Sequence, residues 1–172
     1  MSSKSKAARW QSCFPGGTGS IDLDGLTPHG QSNNFGLLIP SLSVVSLAPP
    51  SPNFAATDWY TGISAPANFG SGGVTNPTSF SGDVIDFDVA IMYIAQGYSS
   101  KTPLSATETF SGATFASLGV VPGTYTWHWG SVDRGNYDTM TLEISAVPEP
   151  ASLAVIGTGL AAVSAMRRRK RA

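Results

Sequence analysis

Cysteine is nearly missing: Cys13 is the only one in 172 residues. One thiol excludes an internal disulfide framework and any zinc site built on cysteines. Histidine is scarce as well, with only His29 and His128, and no Gly-x-Ser-x-Gly elbow presents a serine nucleophile. Cations are almost absent from the body. Between residues 10 and 150 only Lys101 and Arg134 stand against eleven carboxylates, a net of −9. The remaining basic residues sit at the two ends: Lys4, Lys6 and Arg9 at one, Arg167, Arg168, Arg169, Lys170 and Arg171 at the other. So acidic a body excludes nucleic acid as its expected partner, because phosphate binding needs clustered cations. Behind the first cations no apolar leader follows; QSCFPGGTGS occupies the place of one. The same gap removes a lipoprotein reading of Arg9–Cys13. For an exported protein the expected explanation is a misassigned start codon or a truncated gene. Finally, no stretch before residue 150 keeps apolar residues at helical spacing.

What is present reads as strands. Nineteen glycines and twelve prolines, with abundant Ser and Thr, punctuate short segments rich in β-branched and aromatic residues. FGLLIPSLSVVSLA (35–48) is broken by Pro40 and reads as a strand pair. VIDFDVAIMYI (84–94) reads as one strand, with Ile85, Phe87, Val89, Ile91 and Tyr93 on one face. Asp86, Asp88 and Ala90 then take the solvent face. Val121-Pro122-Gly123-Thr124 has the residue chemistry of a type II turn. It launches a strand with Tyr125, Trp127 and Trp129 on one face, and TMTLEIS (139–145) places Met140, Leu142 and Ile144 together. Alternation with one polar face implies antiparallel sheets half exposed to solvent. The expected fold is all-β: a small antiparallel β-sandwich over 35–146, after a flexible segment 1–34 and before a single C-terminal transmembrane or sorting helix.

The end of the chain, VPEPASLAVIGTGLAAVSAMRRRKRA (147–172), has three ordered parts. Val147 and Glu149 each precede a proline and are pushed into extended geometry, while Pro150 suits the first turn of a helix. Residues 151–166 carry no charge. As a helix at ~1.5 Å per residue they reach roughly 24 Å, against a hydrocarbon core of about 30 Å. The basic cluster stays cytoplasmic and places everything before Pro148 outside. Its arginines snorkel and absorb the mismatch.

These residues resemble the PEP-CTERM sorting signal of Gram-negative bacteria. The resemblance covers about 26 of the 172 residues. It implies that Val147, Pro148, Glu149 and Pro150 form the recognition motif of a membrane-embedded exosortase. Residues 151–166 would be the span, and Arg167, Arg168, Arg169, Lys170 and Arg171 the stop signal. It also implies transient residence in the inner membrane, then the cell envelope or the extracellular space. The stretch from ATFASLGVVPGTYTWHWG to DTMTLEI is similar to the β-rich region preceding the signal in many such proteins.

Other signals have plainer readings. Gly157-x-Gly159-x-x-Ala162 lacks the following strand and acid of a dinucleotide fold. Gly157, Ala161 and Ala165 fall at small-xxx-small spacing, which would let the helix pack closely on a membrane partner. Asp22-Leu-Asp24 and the group Asp83, Asp86 and Asp88 are fragments of calcium chemistry without a complete loop. Trp59, Tyr60, Tyr125, Trp127 and Trp129 could stack on sugars if exposed, but core packing fits them better. No cofactor, metal or catalytic set is expected. The expected function is that of an exported, non-catalytic envelope or matrix protein. A polysaccharide- or calcium-binding surface module is the alternative, and a secreted hydrolase the last choice.

Overall fold

The computed structural model describes residues 8–11, 19–24 and 26–144, those of 8–11 by backbone alone. The sorting motif and the C-terminal helix expected over 151–166 lie outside the described residues. Among the described ones, no helix is long and apolar enough to cross a membrane.

Thirteen strands follow one another: β1 (Ala8–Gln11), β2 (Gly19–Ser20), β3 (Gly30–Asn34), β4 (Leu37–Ile39), β5 (Val44–Leu47), β6 (Ala55–Thr61), β7 (Ser79–Gly82), β8 (Ile85–Phe87), β9 (Ile91–Ala95), β10 (Pro103–Leu104), β11 (Ala106–Phe110), β12 (Gly123–Trp129) and β13 (Asp138–Ile144). The largest sheet has the order β3-β6-β9-β8-β5-β4, with every pair antiparallel. A second sheet runs β1-β11-β7, β12 pairs with β13 as a hairpin, and β10 pairs with β2. The chain is thus mostly β and antiparallel.

One face of the six-stranded sheet carries Leu38, Val45, Leu47, Ile85, Phe87, Met92, Ile94 and Tyr60, all buried. It meets the apolar face of the β12–β13 hairpin, where Trp127, Trp129, Met140, Leu142 and Ile144 are buried as the alternation required. Phe87 touches both indoles, with ring centroids 6.1 Å from Trp127 and 5.7 Å from Trp129. Ala106 and Phe110 of β11 add to the same core.

Four expectations need correction. Residues 84–94 are a hairpin, not one strand. β8 and β9 pair antiparallel, Phe87 opposite Met92, around Val89-Ala90. The Asp88 N–H donates to the Ile91 carbonyl at 2.9 Å, and Asp88 Oδ1 accepts the Val89 N–H at 2.6 Å. The turn has neither Gly nor Asn, and neither central residue has positive φ, so the usual hairpin signature was missing. Past the turn the parity reverses. Met92 and Ile94 are buried while Ile91 and Tyr93 are only half-buried; Val89, in the turn itself, is exposed, and Asp86, on the face opposite Ile85 and Phe87, is buried instead of facing solvent.

Gly123 is not among the positive-φ glycines, so Val121–Thr124 is no type II turn. Gly123 is extended as the first residue of β12, opposite Ile144. The left-handed residue is Gly119 (φ 65°), which caps α1 (Phe115–Leu118). Thr114 and Ser117 close the other end of α1 with a capping box. Four residues are too few to show a helical period. Lastly, the segment 1–34 is no flexible leader throughout. It supplies β1, β2 and β3, and Ile21 is fully buried in the common core.

Candidate functional site

The residues expected to carry sorting, Val147, Pro148, Glu149 and Pro150 with Arg167, Arg168, Arg169, Lys170 and Arg171, lie outside the described residues. Two places in the body have chemistry of their own.

The first is the outer face of the large sheet. Cross-strand neighbours in antiparallel sheets point to the same side. The registers therefore place Gly30, Trp59, Tyr93, Asp86, Ser46 and Leu37 in one row across all six strands. Trp59 and Tyr93 are half-buried. His29 stacks on Trp59 with centroids 5.0 Å apart and planes at 23°. Its ring is held by the Thr61 hydroxyl, 2.8 Å from Nε2, and the His29 backbone N–H donates to the Trp59 carbonyl. Gly30 lies opposite Trp59, and a Cβ there would press on the indole nitrogen. The outcome is a braced aromatic shelf. Of the aromatics singled out in the sequence only Trp59 belongs to it. Trp127, Trp129 and Tyr60 are core, and Tyr125 packs on Phe69.

Asp86 stands beside Tyr93 in this row but is sealed in. Its Oδ2 accepts the Asn34 amide at 2.7 Å, and its Oδ1 has no partner. The Ser46 hydroxyl beside it donates to the Phe35 carbonyl. Burial pushes the carboxyl up to about 7, opposed by the Asn34 amide.

The second place is Glu108, which sequence reasoning passed over. On β11 it alternates in phase with Ala106 and Phe110, and it is 2% exposed. That parity was available in ATETF: an acid flanked at i±2 by inward apolar residues points inward too. Its Oε1 accepts the Ala48 N–H at 3.1 Å, and it fits only because Gly36 has no side chain to occupy the same space. Burial raises its carboxyl to about 8, with Asp86 adding to the rise. The carboxyl borders a cavity of about 30 Å³ lined by Leu38, Val45, Ile85, Phe110 and Leu142. Such a volume holds a water or two, not a substrate.

The acidic fragments are dispersed. Asp83 accepts the Ser105 N–H at 2.8 Å, Asp88 caps its turn, and Asp86 is buried. Asp22 accepts the Asp24 N–H at 2.9 Å and the Ser100 hydroxyl at 3.2 Å, and Lys101 bridges Asp24 at 2.6 Å and Asp22 at 3.4 Å. The Asp24 N–H is the main reason the Asp22 carboxyl is lowered. Among the described residues no three potential metal ligands converge. His128 is exposed beside Tyr137, and neither histidine is hydrogen-bonded to a carboxylate among the described residues.

The body thus buries two carboxyls, Asp86 and Glu108, and the sequence behind it ends in a proline–apolar–basic tail. That tail is identifiable: residues 146–170 match the PEP-CTERM protein-sorting motif. The match takes in Val147 to Pro150 and the basic residues 167–170, and stops one short of Arg171. It begins two residues after β13 ends. Neither the curated proteins nor the solved structures contain a match. The motif implies recognition by an exosortase and transient anchoring in a membrane.

Proposed function

We propose that this chain is an exported β-domain of the cell envelope or extracellular matrix, processed at Val147–Pro150 by a membrane-embedded exosortase and without catalysis of its own. The observation that carries the reading is the sorting-motif match over 146–170, placed directly behind the last strand of a folded body. Residues 151–166 act as the span, 167–171 as the cytoplasmic stop, and the body lies on the non-cytoplasmic side. We read the large sheet and the hairpin as the two layers of a sandwich, a shape suited to a matrix component. Changing Arg167, Arg168, Arg169, Lys170 and Arg171 together to Glu, in a host that has the exosortase, should abolish the processed form. Mass spectrometry of secreted wild-type protein checks the same point: an intact 151–172 segment there overturns processing.

A second reading, a polysaccharide-binding surface, is favoured by the braced shelf of Trp59, His29 and Tyr93, since aromatic faces stack on the apolar faces of sugar rings. A glycan array of wild type against Trp59→Ala tests it. Binding lost in the variant supports it, and no glycan bound by wild type removes it.

A further inference from the structure

The sorting motif tethers the body on a short leash. Ile144, the last residue of β13, is four residues from Pro148, so a fully extended chain holds it within roughly 14 Å of that proline. The part of the body surrounding Ile144 therefore faces the membrane whenever the tail is inserted. Ile144 pairs with Gly123, and two residues before Gly123 is Val121, 53% exposed. The Val121 N–H donates to the Phe69 carbonyl. Gly70 bridges Val120, Gly72 donates to the Gly119 carbonyl, and Ser41 donates to the Gly72 carbonyl. The segments joined in this way carry two further exposed aliphatics, Leu42 at 54% and Val74 at 67%.

Charge is distributed to match. Residues 25–57, 59–82 and 109–132, which include every segment of this stitched region, contain no Asp, Glu, Lys or Arg. The nearest acidic residue along the strands is Glu143, exposed beside Ile144. The opposite end of the hairpin carries Asp133, Arg134 and Asp138. The Asp22–Asp24–Lys101 cluster is joined to that end through the Asp22 N–H to Asp138 bond. β13 spans seven residues, which at ~3.4 Å each separates the two ends by about 20 Å.

We propose that Val121, Val74 and Leu42 form a membrane-docking face that rests on the outer lipid surface while the tail is inserted. Exposed aliphatics on segments that carry no charge enter the interfacial layer, Glu143 lies at its margin, and the charged end points to water. The body is thereby held upright, with its Val147–Pro150 segment at the membrane boundary. The inference rests on the sorting reading above, and its test separates the two.

The full chain, with Cys13 changed to Ser, is reconstituted into phosphatidylethanolamine–phosphatidylglycerol vesicles. Single cysteines at Val121, Val74 or Leu42 carry an environment-sensitive fluorophore, and Val132, 75% exposed at the far end, serves as the comparison. All four side chains are more than half exposed, and near-ultraviolet circular dichroism from buried Trp127 and Trp129 reports whether each labelled chain is folded. The expected result is co-flotation with vesicles, a blue shift at Val121, Val74 and Leu42, and several-fold quenching there by nitroxide lipids, with Val132 unaffected. Co-flotation with all four positions equally unquenched overturns the docking face and leaves sorting standing. Failure to float overturns both.

Discussion

Replacing Trp127 with alanine should destabilise the body by about 3–5 kcal/mol, the usual cost of removing a large aromatic from a core. Measured against a total stability of roughly 5–15 kcal/mol for a domain, that leaves it close to unfolding. Trp127 is fully buried and is the point at which separate parts of the chain meet. Phe69, from the loop beyond β6, lies 6.2 Å away and Phe87 of β8 lies 6.1 Å away. The indole N–H adds a second, opposing effect, because it is buried without an acceptor and such a group costs about 1–3 kcal/mol. Trp127→Phe removes the unpaired donor together with part of the volume, so it should lose markedly less than Trp127→Ala. Denaturant unfolding followed by circular dichroism measures both. If Trp127→Ala moved the midpoint no further than Val132→Ala on the surface, the hairpin would not be packed on the sheet as described.

The sequence is legible here where one physical signal dominates and opaque where two compete. Tyr125-Thr-Trp-His-Trp and Met140-Thr-Leu-Glu-Ile alternate strictly, so their burial parity follows from the pleat alone. Leu37–Ile39 and Val44–Leu47 are split by a proline, which supplies the boundary. The proline–apolar–basic tail carries its order in composition, and the family match falls on it. Residues 84–94 failed for a definite reason. Alternation persists straight through Asp88-Val89-Ala90-Ile91, and the chain turns by a side-chain cap on the Val89 N–H in place of a glycine. The aromatic shelf was half visible: Trp59 could be named, but its alignment with Tyr93 and His29 depends on registers among three strands far apart in sequence. Glu108 was legible in its parity and was missed because a charged residue between threonines reads as solvent-facing.

Stability should fall as pH rises from about 4.5 to about 8, the reverse of ordinary acid denaturation. Glu108 is held up at about 8 and Asp86 at about 7, both chiefly by burial. Each therefore keeps its proton in the folded protein at a pH where the unfolded chain has lost it. Between the unfolded and folded values the native state binds more protons, so raising the pH favours unfolding. Below that window both states are protonated and the two groups add no slope; above it the native state bears two buried charges. Each tenfold change in proton affinity between the folded and unfolded chain is worth about 1.4 kcal/mol, so Glu108 alone accounts for a loss on the order of 5 kcal/mol across the window. Glu108→Gln keeps an oxygen for the Ala48 N–H but cannot ionise. It should match wild type near pH 4.5, where Glu108 is neutral, and exceed it by several kcal/mol near pH 9. Asp86→Asn should reduce the remaining slope in the same direction, and the two together should leave a nearly flat profile over this range. Thermal melts of the four proteins across pH 4–9 measure this directly. A wild-type melting temperature that climbs through that range would mean that Glu108 and Asp86 are ionised and solvated, not sealed in the fold.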